Sequence, residues 1–334
     1  MLHARALFRS FLLIATAAVS LVPSLAGQIR PQIRDSLVLR GEIQPTTRPT
    51  RPRAPILNAG TPGTPPAPAT GISGMEVIAG PMIDVASLAV ASASAQCPAG
   101  KVALSAGVEF TAAGQASFGL EVKGAWPDGR LATVSVRNAN VAVPARARAF
   151  AVCVTEIPGL RVAAFGGIAT ARGDAPVLVD GACSANERMV GGGVMGKSMT
   201  IVTSNAPAGA DATTGVWRQI VMLASPVALP GSYGAESRIL CAPANAVDGW
   251  ELVMSGPVSL GARSQSTLST SCPAGKVLLA AGVLQTSRNY LDIVANTMIP
   301  SSNGSASSHI HNRNTLGTGG NVDARVSVIC ARGQ

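Results

Sequence analysis

Aromatic residues are scarce in this chain: three tryptophans, two tyrosines and six phenylalanines in 334 residues. Its core must be assembled from smaller aliphatic side chains. Trp126, Trp217 and Trp250 therefore read as anchors of that core before they read as platforms for sugars. Histidine occurs three times, at His3, His309 and His311. No GxSxG nucleophile elbow is present, so a Ser-His-Asp hydrolase has no support from motif. Beyond residue 26 no stretch carries the 3.6-residue apolar period of a surface helix. Nor does any apolar run there reach the length of a membrane span.

What is present begins with an export signal. Arg5 and Arg9 precede the apolar run Phe11-Leu12-Leu13-Ile14-Ala15-Thr16-Ala17-Ala18-Val19. Ser24-Leu25-Ala26 then supplies a small-x-small cleavage site, so residues 1–26 are expected to leave the mature chain. The apolar run is too short to span a bilayer comfortably. No cysteine follows the cut, so a bacterial lipid anchor is not expected. The expected location is outside the cell or in the cell envelope or periplasm.

Residues 27–73 read as a linker. They hold Pro31, Pro45, Pro49, Pro52, Pro55, Pro62, Pro65, Pro66 and Pro68 and no apolar periodicity, a composition that stays extended rather than packing. Six arginines lie here (Arg30, Arg34, Arg40, Arg48, Arg51 and Arg53) against two acids, Asp35 and Glu42. From residue 74 onward basic and acidic residues nearly balance, so the formal charge of +9 is concentrated in the N-terminal region. It is not a face of the folded part, and no nucleic acid is expected as partner. A mobile basic segment suits an anionic polysaccharide or the cell-envelope surface instead.

The remainder is organised by one stretch that recurs. Cys97-Pro98-Ala99-Gly100-Lys101-Val102 leads to Gly107, ten residues after the cysteine. Cys272-Pro273-Ala274-Gly275-Lys276-Val277 leads to Gly282, and the degenerate Cys183-Ser184-Ala185-Asn186-Glu187-Arg188 to Gly193, at the same spacing. Pro followed by Gly marks a tight turn. Asn186 stands where the glycine should be, and asparagine enters the left-handed region more readily than other side chains. Each turn opens an apolar strand whose Gly and Ala residues suggest close approach of another backbone.

These copies divide the chain into units of about 88 residues: 74–158, 159–248 and 249–334. Each is expected to hold about six short strands separated by turns. A middle strand ends at a proline (120–127, 201–207 and 293–300), and a closing strand carries the second cysteine (148–154, 238–242 and 324–331). The fold class is all-β. Three repeats packed with pseudo-threefold symmetry, β-prism-like, are the expected architecture, with three β-sandwich units in tandem as the alternative.

The six cysteines fall at separations of 56, 58 and 58 residues as Cys97–Cys153, Cys183–Cys241 and Cys272–Cys330. That regularity argues for one bridge inside each unit, in an oxidising compartment. Each bridge closes a loop worth roughly 4 kcal/mol by chain entropy. A ring of Cys153–Cys183, Cys241–Cys272 and Cys97–Cys330 remains the other pairing.

The combination Cys-Pro-x-Gly-Lys, then Ala-Gly or Gly-Gly, then a Ser/Ala-x-Pro strand end resembles a repeat of exported bacterial proteins, most of unassigned function. The likeness covers residue 74 to the C-terminus. The first and third copies carry the motif, and the second lacks its proline, glycine and lysine. The resemblance implies an extracellular all-β module and transfers no catalytic residue.

Candidate chemistry is thin. Gly191-Gly192-Gly193-Val194-Met195-Gly196-Lys197-Ser198 matches the phosphate-loop pattern GxxxxGK[ST]. That loop needs a helix to follow it, whereas Met199-Thr200-Ile201-Val202-Thr203-Ser204 reads as a strand. His309-Ile310-His311 places two imidazoles, with Arg313, on one face of a strand. They are candidate ligands for a transition metal or an anion, weighed against solvated polar residues in a turn-rich segment. No catalytic residue and no cofactor is assigned. The expected function is a secreted, disulfide-stabilised binding or surface-structural protein without catalysis. The alternative is an extracellular carbohydrate-active hydrolase using two carboxylates.

Overall fold

The computed structural model describes residues 71–113, 118–169, 177–196, 200–209, 215–223, 233–285, 293–295, 297–313 and 322–334. The expected export signal (1–26) and most of the expected linker lie outside them. The linker assigned to 27–73 ends earlier than its composition implied, because residues 71–73 belong to the folded part. Ile72 is buried, donates its N–H to the Arg332 carbonyl and accepts from Gln334 N–H. The apolar side chain and these backbone partners hold it to the C-terminal strand.

The repeated turn is tight in all three copies. Lys101 N–H bonds Pro98 O, Lys276 N–H bonds Pro273 O, and Glu187 N–H bonds Ser184 O. Gly100 and Gly275 both have φ of +79°, a region open to glycine at little cost. The expectation that Asn186 copies this conformation is wrong. Among described non-glycine residues only Leu88 and Arg263 have positive φ. The second turn closes without a left-handed residue, and the Glu187 carboxylate instead accepts the Ser184 N–H at 2.9 Å.

The class is all-β. The first segment contains β1 (Glu76–Ala79), β2 (Ile83–Val85), β3 (Val90–Gln96), β4 (Lys101–Ala112), β5 (Leu120–Asp128), β6 (Leu131–Asn138) and β7 (Ala145–Thr155). The second contains β8 (Arg161–Ala169), β9 (Val177–Ala182), β10 (Glu187–Gly196), β11 (Thr200–Ala208), β12 (Val216–Leu223) and β13 (Tyr233–Pro243). The third contains β14 (Glu251–Met254), β15 (Val258–Leu260), β16 (Gln265–Ser271), β17 (Lys276–Gln285), β18 (Ile293–Ala295), β19 (Thr297–Pro300), β20 (Ser305–Asn312) and β21 (Val322–Arg332). The cysteine-bearing closing strands fall where expected but run longer at both ends, the first two middle strands continue one residue past their proline, and the third is divided into β18 and β19.

The cysteine strands pair in matching register. β4 lies antiparallel to β7, β10 to β13 and β17 to β21. Each pair shifts register at the residue seven after the first cysteine, at Leu104, Val190 and Leu279. These bulge residues are fully buried and share one apolar cluster. A bulge re-aims a side chain that regular pleating would send elsewhere. The bridges formed are Cys97–Cys153, Cys183–Cys241 and Cys272–Cys330, each with Cα atoms 5.7 Å apart. The ring of inter-unit bridges does not form, because each closing strand pairs with the strand that follows the first cysteine of its own segment.

Strands also pair between segments. β4 bonds β19 (Val108 opposite Met298), β10 bonds β5 (Val194 opposite Ala125), and β17 bonds β11 (Val283 opposite Asn205). The first segment thus meets the third, the second meets the first, and the third meets the second. The glycine ten residues after each cysteine sits at these contacts. A Cβ on Gly107 would lie 2.5 Å from Met298 O, on Gly193 2.3 Å from Ala125 O, and on Gly282 2.1 Å from Asn205 O. No side chain fits at those distances. Three independent sandwiches in a row would not share hydrogen bonds in this way.

Candidate functional site

The two histidines lie on β20. Alternation along that strand buries Ala306, Ser308, Ile310 and Asn312. It turns Ser307, His309 and His311 to the other face. Strand β16 runs antiparallel beside it and sets Thr267 opposite His309 and Gln265 opposite His311. Phe110 to Ala112, at the end of β4, and Thr297 and Ile299 of β19 complete a pocket of about 390 Å³. Its lining combines uncharged polar side chains with the apolar Phe110 and Ile299.

Inside it, the His309 and His311 rings stand edge to face with centroids 4.6 Å apart. Phe118 meets the His311 ring from another side at 4.9 Å. His311 is fully buried, and neither ring nitrogen has a hydrogen-bond partner among the described residues. Burial, reinforced by the neighbouring His309, pushes the His311 pKa down to about 4. The ring is therefore neutral at physiological pH, with one lone pair and one N–H.

Arg313, expected on the same face, is committed elsewhere. Its guanidinium reaches Glu121 at 3.1 Å, and Arg137 reaches the other oxygen of the same carboxylate at 3.3 Å. The pair of histidines is thus brought together with Gln265 and Thr267, and Arg313 serves a contact between the third and first segments.

Comparison of matching positions sets the pocket apart. The residue opposite His311 on β18 is Val294. In the first segment the same register holds Glu121 opposite Arg137, an ion pair. In the second it holds Ile201 opposite Met222, two apolar residue types. Only the third places there a group with unmet hydrogen-bonding capacity.

The other candidates resolve as structure. Gly191 to Gly196 lie within β10, hydrogen-bonded to β13, rather than in a loop before a helix. Lys197 and Ser198 lie outside the described residues. Trp217 is fully buried and donates to Asn205 Oδ1 at 2.7 Å; Trp250 donates to Met189 O at 2.6 Å. Both indoles are core anchors. Cys183, Glu187 and Cys241 form a compact group, but the two sulfurs are joined to each other and offer no thiolate. A small pocket of about 40 Å³ lies where the segments meet, lined by Ala106, Val108, Ala125, Val202 and Val283 together with Thr203 and Asn205.

Gln265, Thr267 and Phe118 escaped the sequence reading. Nothing local marks them, since only strand register brings β16 against β20. The six tail arginines lie outside the described residues. The chain matches no protein-family model and no curated protein.

Proposed function

We propose that the protein is an exported, disulfide-stabilised, non-catalytic binding module. Its three β units surround a pseudo-threefold axis as in a β-prism, and its pocket beneath His309 receives a small uncharged polar ligand. The reading rests on one observation: at a register position held by the Glu121–Arg137 ion pair in one segment and by Ile201 opposite Met222 in another, the third opens a pocket walled by Gln265, Thr267, Ser307 and His309. Hydroxyl, amide and imidazole groups beside Phe110 and Ile299 suit a molecule with polar edges and apolar faces, such as a sugar. Three cystines suit an oxidising compartment. The basic segment at 27–70 would tether the module to an acidic envelope polymer.

A glycan array probed with the mature chain and with Thr267→Trp tests the pocket. Binding by the wild type that is lost in the variant, at an unchanged melting temperature, is the expected result. Equal binding by both proteins would place the ligand elsewhere.

A further inference from the structure

The pocket contains something an uncharged ligand does not require. Among the described residues His311 has both ring nitrogens buried without a partner, and His309 stands beside it. An unmet buried donor or acceptor costs roughly 1–3 kcal/mol, a penalty that the matching positions of the other segments avoid. The cost is offset if something occupying the pocket takes the lone pair. A water could serve one imidazole, but it does not explain two on adjacent outward positions of one strand.

From this geometry we infer that His309 and His311 form a two-histidine site for a late divalent transition-metal ion at the inner end of the pocket. The inference rests on the reading of this pocket as a ligand site and names the chemistry at its base. Ring centroids 4.6 Å apart leave room for one ion to meet a nitrogen of each. Neutral imidazole is the ligand form such ions take. Gln265, opposite His311, brings an amide oxygen to the same face of the sheet, and the open pocket leaves the remaining positions to water or to the ligand's hydroxyls. An N/O donor set of this kind favours Cu²⁺, then Ni²⁺ and Zn²⁺, over hard ions such as Mg²⁺ and Ca²⁺. The donated N–H of each metal-bound ring commonly meets a second acceptor. For His309 the facing Thr267 is on hand to supply one.

The chain is well suited to a decisive test, because His3 falls in the signal and no other histidine exists outside the pair. Any imidazole nitrogen seen on a metal must come from His309 or His311. Untagged mature protein, stripped with chelator, is titrated with Cu²⁺ by calorimetry and examined by electron paramagnetic resonance. One ion per chain with two imidazole nitrogens in its hyperfine pattern is expected. His309→Gln, at a half-exposed position, should weaken binding at least tenfold and leave one nitrogen, with an unchanged melting temperature. His311→Gln should act alike, but the half-exposed variant decides the matter if the buried one unfolds. A copper spectrum without imidazole nitrogen, or binding equal in wild type and His309→Gln, overturns the site. If the array shows loss of glycan in Thr267→Trp while copper does not bind, the metal inference fails and the pocket reading stands. If copper binds as described and no glycan does, the metal site stands and the uncharged ligand falls.

Discussion

Arg161 and Glu187 face each other with Nε 2.5 Å from Oε1, and their positions match those of Glu76 and Lys101 in the first segment and Glu251 and Lys276 in the third. The middle copy has lost the lysine of the motif but kept the ion pair with its charges exchanged. In each segment the opening-strand member of the pair lies opposite the second cysteine: Glu76 opposite Cys153, Arg161 opposite Cys241 and Glu251 opposite Cys330. The contact joins the opening strand to the repeated turn, so either polarity serves.

The exchange can be undone. Arg161→Glu alone sets two carboxylates together and should lower the melting temperature, as like charges at contact repel. Adding Glu187→Lys should recover most of the loss by recreating the arrangement of the other segments. A double variant no more stable than the single one would show that the pair's orientation matters.

The same pair sets an acid response. The side-chain hydrogen bond from Arg161, with the Ser184 N–H, holds the Glu187 carboxyl down to about 2. The folded pKa lies below the unfolded one, so the unfolded chain binds more protons between them. The contribution of Glu187 is therefore complete above about pH 4.5 and is lost as pH falls toward 2. Wild type and Glu187→Gln should differ in thermal stability at pH 6 and converge by pH 2. A gap that persists at pH 2 would assign the difference to something other than ionisation.

Close approach and turn conformation predict unequal costs for glycine. Gly282→Ala drives a methyl against Asn205 O and Ala206 and should cost about 3 kcal/mol or more. Gly100→Ala meets no neighbour but must hold φ near +79°, costing about 1–2 kcal/mol. Gly256→Ala meets neither constraint and should lie within about 0.5 kcal/mol of wild type. Urea unfolding of the three variants gives the ranking, and a neutral Gly282→Ala would contradict the inter-segment contact.

Removing one bridge should cost about 2–5 kcal/mol. The Cys183→Ser, Cys241→Ser double variant measures this for the middle segment. Non-reducing peptide mapping of wild type should recover Cys97–Cys153, Cys183–Cys241 and Cys272–Cys330 alone. A Cys153–Cys183 peptide would be incompatible with the strand pairing.

Deletion of residues 27–70 should leave the melting temperature of the folded part unchanged. It should also abolish retention on an acidic polysaccharide column at low salt, where screening is weak. Elution of the truncated and mature chains at the same salt would make the arginines a solubility device and nothing more.

Local chemistry wrote much of this molecule plainly. Turn residues and the lack of helical period dictate short strands and an all-β class, because turns depend on residues near in sequence, and the cysteine spacing favours in-unit bridges over the ring. The glycine ten places after each cysteine even announced a close backbone. What lies against it did not follow, since Met298, Ala125 and Asn205 reach those glycines through pairings between segments. Ile72 leaves the linker because the C-terminal strand accepts its backbone bonds, whereas Asn186 stays out of the left-handed region in a turn whose Ser184 N–H is met locally by the Glu187 carboxylate. The histidine pair was visible as an alternation on one strand. That it lines a pocket, that His311 has no partner among the described residues, and that Arg313 is drawn away to Glu121 were decided by register between β16 and β20 and by the approach of β4 and β5 from the first segment. Register and burial depend on which distant strand arrives alongside, and no single stretch of sequence encodes that.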